Sequence, residues 1–357
     1  MPGEPIRIDR RDLYSPQVED YLEVQQSLRR DLGEIEPRPL IVRVLFSSWF
    51  YLAIASGLGA FVAWAVMEPY FSDDPFLGNE NLVVRILFFP TVTGFVGLFL
   101  GAAEGLMCRN LGRAAVCGSV GLGIGFGAGL VALIPTMMLF QLMARLAIHW
   151  SRDPVNLENV VPTGVGFLLL IMGRGMAWAV ASIPAGLGQG IALKDKKVVL
   201  NGLVGAVLGG LLGGILFDPI YALLSTDRLE ADLSRAVGFT VIGLLVGLFV
   251  GLVEGWTKTA WLLMQKGPLA GKQFVIYRDT TVLGSSPRAD IYLFKDDAIE
   301  PRHALLHNRG GRFEIEDLDT PDGTYVNGVP VHRQLLHHGD QIILGKTVLE
   351  FSIRERG

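Results

Sequence analysis

The chain has 357 residues, 50% of them apolar and only 18% charged, with 44 glycines; soluble enzymes do not have this composition. Its net charge is −4 and no block of Lys or Arg is present, which excludes a nucleic-acid partner, because neutralising phosphates needs a basic face. Cys108 and Cys117 lie near one end of two apolar runs with no His or Cys at ligand spacing around them. They read as unpaired reduced thiols, and neither a metal nor a cofactor is expected.

Residues 1–42 read as a polar arm. Ser15-Pro16 marks a helix start, and Val18, Tyr21, Leu22, Leu28 and Leu32 share roughly one face of a short amphipathic helix. The arm mixes basic and acidic residues and has no short apolar core leading to a small-residue cleavage site, so no cleaved signal peptide is expected. At Val44 the character changes, and Val44–Met67 runs 24 residues without a charge, enough to span a bilayer at about 20 residues per crossing. Further spans are predicted at Ile86–Ala103, Ala114–Ala144, a stretch interrupted by Arg174 and ending at Leu193, Val198–Phe217 and Ala236–Val253. These make a six-span membrane domain over 43–264.

An even number of spans puts both termini on one side. The tight connections 107–113 and 194–197 hold Arg109, Arg113, Lys194, Lys196 and Lys197, five basic residues in eleven positions. The longer connections 68–85, 145–162 and 218–235 hold five in 54, beside acids such as Glu68, Asp73 and Asp227. The positive-inside rule therefore predicts a cytoplasmic arm, cytoplasmic tight turns and a cytoplasmic C-terminal segment on an inner, cell membrane.

The membrane region repeats internally. Gly97-Leu-Phe-Leu-Gly101-Ala-Ala-Glu104-Gly105 matches Gly247-Leu-Phe-Val-Gly251-Leu-Val-Glu254-Gly255 and, more loosely, Ser182–Gly190. Gly118, Gly121, Gly125 and Gly129 stand at the same offsets from Arg113 as Gly202, Gly205, Gly209 and Gly213 do from Lys197. Three helical hairpins, 44–105, 114–190 and 198–255, are the implied unit, and small residues at four-residue spacing are how such helices approach closely. Glu104, Gln189 and Glu254 recur at one position. They admit a cation or proton site, but their place at the span ends beside Arg109 and Lys258 favours an interfacial role. Arg174 lies about 15 residues, or ~22 Å, from Gln189 and reads as an anchor or as the partner of an acid.

Residues 265–357 have β character, with strands predicted at Phe274–Tyr277, Ile291–Phe294, Phe313–Glu316, Gln341–Leu344 and Val348–Ile353. Turns at Asn308–Gly311 and Asn327-Gly328 suggest hairpins in a sandwich. Leu283-Gly284 leading to Asp290-Ile291, then Arg302-His303-Ala304, Asp317-Leu318, Gly323–Gly328 and Gly339-Asp340 occur in order. This segment resembles the forkhead-associated (FHA) family, which implies a β-sandwich whose loops at one end bind phosphothreonine peptides. The implied recognition face holds Gly284, Ser285, Ser286, Arg288, Glu300, Arg302, His303, Asp322 and Asn327.

Three departures from the family pattern fall on that face. Ser285 stands where the family has its phosphate-contacting Arg, Glu300 where it has a phosphate-binding Ser, and Asp322 where an Asn contacts the peptide backbone. A phosphothreonine carries nearly two negative charges. A lost Arg and two added carboxylates reverse the sign of the pocket, each unit pair at 4 Å repelling by up to ~4 kcal/mol; Arg288 or Arg302 offers partial compensation. By resemblance His303 braces the loops and Asn327 shapes them; no nucleophile or base accompanies His303, so catalysis is not expected. The sequence thus implies an α-helical membrane bundle followed by an all-β FHA-type sandwich that meets a cytoplasmic protein or peptide with weakened or lost phosphothreonine binding. The alternatives are a transporter or channel regulated by that module, and ordinary phosphothreonine binding.

Overall fold

The computed structural model describes residues 39–70, 82–153, 162–224 and 231–354. The predicted amphipathic helix of the arm, and loop acids such as Asp73 and Asp227, lie outside them. One compact unit covers Val44–Lys258 and a second includes Thr259–Gly357.

Among the described residues the chain up to Thr257 is helical: α1 Leu40–Leu45, which straddles the start of the first unit, and within that unit α2 Ser48–Met67, α3 Leu82–Met107, α4 Leu111–His149, α5 Val165–Leu193, α6 Lys196–Leu224 and α7 Ala231–Thr257. Six of these, α2 to α7, are long and apolar enough to cross a membrane. Helix α4 has 39 residues and is about 58 Å long at 1.5 Å per residue, well beyond a bilayer core of ~30 Å.

The two tight turns are built alike. After α3 the chain takes a left-handed conformation at Arg109 (φ 53°), the Asn110 N–H donates to the Gly105 carbonyl at 2.7 Å, and Asn110 Oδ1 accepts from Arg113 N–H. After α5, Lys194 takes φ 54°, Asp195 N–H donates to the Gly190 carbonyl at 3.0 Å, and Asp195 Oδ1 accepts from the N–H groups of Lys197 and Val198. Each turn closes one helix with a left-handed cap and opens the next with a side-chain N-cap.

Small residues set the helix contacts. A Cβ on Gly101 of α3 would run into the Cys117 carbonyl of α4, one on Gly186 of α5 into the Gly202 carbonyl of α6, and one on Gly247 of α7 into the Leu52 carbonyl of α2. The α3, α5 and α7 segments therefore pack on α4, α6 and α2 in turn, and the last contact joins the ends of the bundle. Inside, buried side chains from α3, α5 and α7 recur every four residues as Val92, Ala177 and Ile242, then Val96, Ala181 and Val246, then Leu100, Ala185 and Val250. Phe88, Phe89, Trp178, Phe217 and Phe239 form a connected ring cluster beyond Val92, with Phe88 and Phe239 centroids 4.8 Å apart. Helix α4 contributes nothing to this cluster and leaves Val131 and Met138 about 70% exposed, at 73% and 68%, as a lipid-facing helix does.

The second unit is a two-sheet sandwich. Its strands are β1 Ala260–Lys266, β2 Gln273–Val275, β3 Thr280–Gly284, β4 Ile291–Tyr292, β5 Ala304–Arg309, β6 Arg312–Asp317, β7 Thr324–Val326, β8 Val329–Val331, β9 Arg333–Leu335, β10 Gln341–Leu344 and β11 Thr347–Ile353. One sheet runs β2-β1-β11-β10-β7-β8 and the other β4-β3-β5-β6-β9. Between them lie Leu262, Leu283, Leu306, Ile315, Ile342, Leu344 and Phe351, all essentially buried.

Strand β1 corrects the expected boundary at 264/265. Trp261-Leu-Leu-Met264 is apolar and follows the last span closely, so it reads as membrane. Its burial nevertheless alternates, with Ala260, Leu262 and Met264 inside, and it pairs with β11 on one side and β2 on the other. Period-2 burial is the mark of a half-covered strand, and β1 lies inside its sheet.

Candidate functional site

Three loops meet at one end of the sandwich: the residues after β3, those before β5, and those between β6 and β7. Gly284 ends β3 against the Pro301 carbonyl, where a Cβ has no room. The next two N–H groups hold the second loop: Ser285 N–H donates to the Glu300 carbonyl at 2.9 Å and Ser286 N–H to the Pro301 carbonyl at 3.4 Å. Ser286 Oγ accepts from Arg288 N–H, turning the first loop back toward β4.

His303 joins the second loop to the third. Its ring is fully buried, and Nδ1 lies 3.1 Å from the Glu300 N–H, so Nδ1 must be the acceptor and the ring proton is assigned to Nε2. Nε2 faces the Gly323 carbonyl at 3.1 Å and Thr320 Oγ1 at 3.2 Å. Thr320 is in turn held by Asp317, which accepts from the Thr320 hydroxyl at 2.9 Å, the Thr320 N–H at 3.0 Å and the Thr324 hydroxyl at 2.6 Å. Burial by itself would raise the Asp317 carboxyl, but the hydrogen bonds from Thr324 and Thr320 outweigh it and hold the group below the ordinary aspartate value.

Backbone bonds thus bring Ser285 and Ser286 beside Glu300 and Pro301, and His303 brings Glu300 to Gly323, next to Asp322. Arg288, Glu300, Arg302 and Asp322 are exposed; among the described residues none of the four has an ion-pair partner. The loops of this end thus carry two exposed carboxylates and two exposed guanidiniums.

Asn327 is not with them. It occupies the β7–β8 turn at φ 52°, and its side chain donates to Asp340 Oδ1 and accepts from Gln341 N–H, both at 2.9 Å. The length of β7 separates it from Gly323, so Asn327 braces the opposite end of the sandwich. Thr320 is the residue of the loop network that sequence reasoning missed; its signal is its place three residues after Asp317, the spacing at which a carboxylate caps a turn.

In the helical unit, Gln189 Nε2 donates to Glu104 Oε2 at 3.3 Å. Arg174 Nε donates to Asp218 Oδ2 at 2.9 Å, and its guanidinium sits 5.1 Å from the ring centroids of Phe140 and of Phe217. Arg174 therefore pairs with an acid, as expected. Asp218 escaped notice because it directly follows a predicted span end. A second pair, Arg235 with Glu68, ties α7 to the turn after α2. Among the described residues, no group of three or more His, Cys, Asp or Glu side chains is placed to hold a metal.

The FHA-domain profile matches residues 281–345. The oxoglutarate dehydrogenase inhibitor of Corynebacterium jeikeium is 39% identical over 101 residues, which are 28% of this chain and 67% of that protein. The glycogen accumulation regulator GarA of Mycolicibacterium smegmatis is 39% identical over 100 residues, 28% of this chain and 63% of that one. This chain thus spans about two thirds of the length of the curated relatives it matches. An FHA domain from Chlamydia trachomatis, known as a solved structure, is 26% identical with a TM-score of 0.26, and the match covers 28% of this chain and 100% of that one. The C-terminal sandwich is an FHA domain, and through it the chain belongs to the FHA family.

Proposed function

We propose that this chain is a multi-pass membrane protein that presents its FHA domain to the cytoplasm as a protein-interaction platform, a signalling or assembly scaffold without catalysis of its own, and that its recognition face has lost selective binding of phosphothreonine. The observation that carries this reading is the juxtaposition of Ser285, Glu300 and the Gly323 loop around His303. The loops keep their bracing while the three positions that meet phosphate or peptide in the family, 285, 300 and 322, hold neutral or negative side chains. A charge-assisted Arg contact is among the strongest phosphate ligands, and no neutral side chain replaces it.

The helical unit favours a scaffold over a conduit, since successive layers of buried apolar side chains and an aromatic cluster fill its interior. The asymmetry of basic residues between tight and long connections supports cytoplasmic termini. Capture of membrane-extract proteins on the domain 259–357, before and after phosphatase treatment of the extract, tests the reading: the same partners should be retained from both. Partners lost on phosphatase treatment would establish ordinary phosphopeptide binding instead.

A further inference from the structure

One outer face of the sandwich is buried although it is turned away from the core. Ile342 and Leu344 of β10 and Leu349 and Phe351 of β11 face the core, so strand alternation turns Ile343, Val348 and Ser352 to the opposite side of their sheet. Cross-strand pairing sets Ile343 beside Val348 and Tyr325, and Ser352 beside Trp261. The outer face of such an antiparallel sheet is ordinarily solvated. Here Ile343 and Ser352 are only 5% exposed and Val348 0%, and Ile343, Val348 and Tyr325 form an apolar cluster of their own.

The sandwich supplies no layer for this side. Its second sheet lies across the core, and the loop after β1 is on the core side too, since Gly267 stands against Met264 and Thr347 and the Leu269 N–H donates to Met264 Sδ. Of the stretches outside the described residues, only the arm, residues 1–38, is long enough to cross four strands. It also joins the chain at the right place. A Cβ on Gly251 of α7 would run into the backbone of Ser48 and Trp49 at the start of α2, while α7 ends at Thr257 and β1 begins at Ala260. The arm and the sandwich are therefore tethered to neighbouring points, which gives each an effective concentration on the order of mM at the other.

We propose that the arm lays its amphipathic helix, with Val18, Tyr21, Leu22, Leu28 and Leu32 on one side, across the outer face of β1, β11, β10 and β7 as a third layer. A helix over 15–32 is about 27 Å long, and four strands ~4.8 Å apart span about 15–20 Å, so the lengths match. The occupant is this chain's own segment. The recognition loops, at the end of the sandwich, stay open to a partner while the sheet face is taken.

Maleimide labelling at position 343 tests the contact, in the detergent-solubilised full chain carrying Cys108→Ala, Cys117→Ala and Ile343→Cys. Labelling should be slow. Deleting residues 1–38, or introducing Leu22→Asp with Leu28→Asp, should speed it by about tenfold or more, a factor equal to ~1.4 kcal/mol of docking free energy. A peptide of residues 10–36 added to the truncated chain should slow it again, a gain that misfolding cannot imitate. Equal rates in the full and truncated chains overturn the proposal; if those equal rates rise on dilution, the face belongs to a second copy instead. Fast labelling of the truncated chain that saturating peptide does not slow also overturns it.

Discussion

At the scale of single residues, the His303–Thr320–Asp317 chain, in which His303 and Asp317 are buried and Thr320 half-buried, holds the loops at one end of the sandwich together. Asp317 accepts three hydrogen bonds, and a carboxyl held below its ordinary value in the folded state stabilises that state. The contribution is fully present above the unfolded value of about 3.9 and is lost as pH falls through the folded value. The thermal midpoint of the domain 259–357 should therefore drop as pH is lowered below about 4, and Asp317→Asn should flatten the drop while lowering the midpoint at neutral pH. Thermal melts across pH would check this; a variant with the wild-type acid response would remove Asp317 from the account. Gly284 makes a steric prediction: Gly284→Ala places a methyl against the Pro301 carbonyl, and overpacking of this kind costs ~1–3 kcal/mol, measurable by denaturant unfolding. The place of His303 was legible in the sequence through the order of family motifs, and the structure sets its ring between the Glu300 N–H and the Gly323 carbonyl. Asn327 was misplaced because a motif gives order along the chain, and only strand pairing shows that a three-residue strand carries it to the other end. Asp218 was missed because pairing across helices leaves no trace in local spacing.

At the scale of elements, the six spans were readable because an apolar run of bilayer length has few other uses. The start of the sandwich was not, since Trp261–Met264 is as apolar as the span before it. Its period-2 alternation is only four residues long, too short to separate a strand from a helix end. A fragment beginning at residue 266 keeps only the last residue of β1, the strand that pairs with both β2 and β11. It should fail to give a cooperative melt, whereas a fragment beginning at 259 should fold; equal melts would refute the place given to β1. In the bundle, Gly121 of α4 packs backbone to backbone on Gly97 of α3, while Val131 on the same helix is 73% exposed. Gly121→Leu should lower thermal stability in detergent by several degrees and Val131→Ala hardly at all, because a seam of small residues tolerates no bulk and a lipid-facing side chain loses little. Equal effects would contradict the seam.

At the scale of the whole molecule, the chain joins a helical bundle with a filled interior to an FHA domain in which, on the proposed reading, the phosphate ligands have been exchanged. The resemblance located that exchange; the structure adds that Ser285, Glu300 and the loop of Asp322 share one braced end. The topology is testable separately: a reporter active only in the periplasm and fused after Gly357 should remain silent, and activity there would mean an odd number of crossings. The central claim is the loss of phosphate selectivity, and calorimetry of the domain 259–357 against a degenerate phosphothreonine library and its unphosphorylated counterpart tests it most directly. The wild type should show no preference for the phosphorylated form. The combined change Ser285→Arg, Glu300→Ser and Asp322→Asn should create one, by supplying a charge-assisted contact and removing two repulsive carboxylates. Micromolar, phosphate-dependent binding by the wild type would contradict the account and assign the phosphate to Arg288 and Arg302.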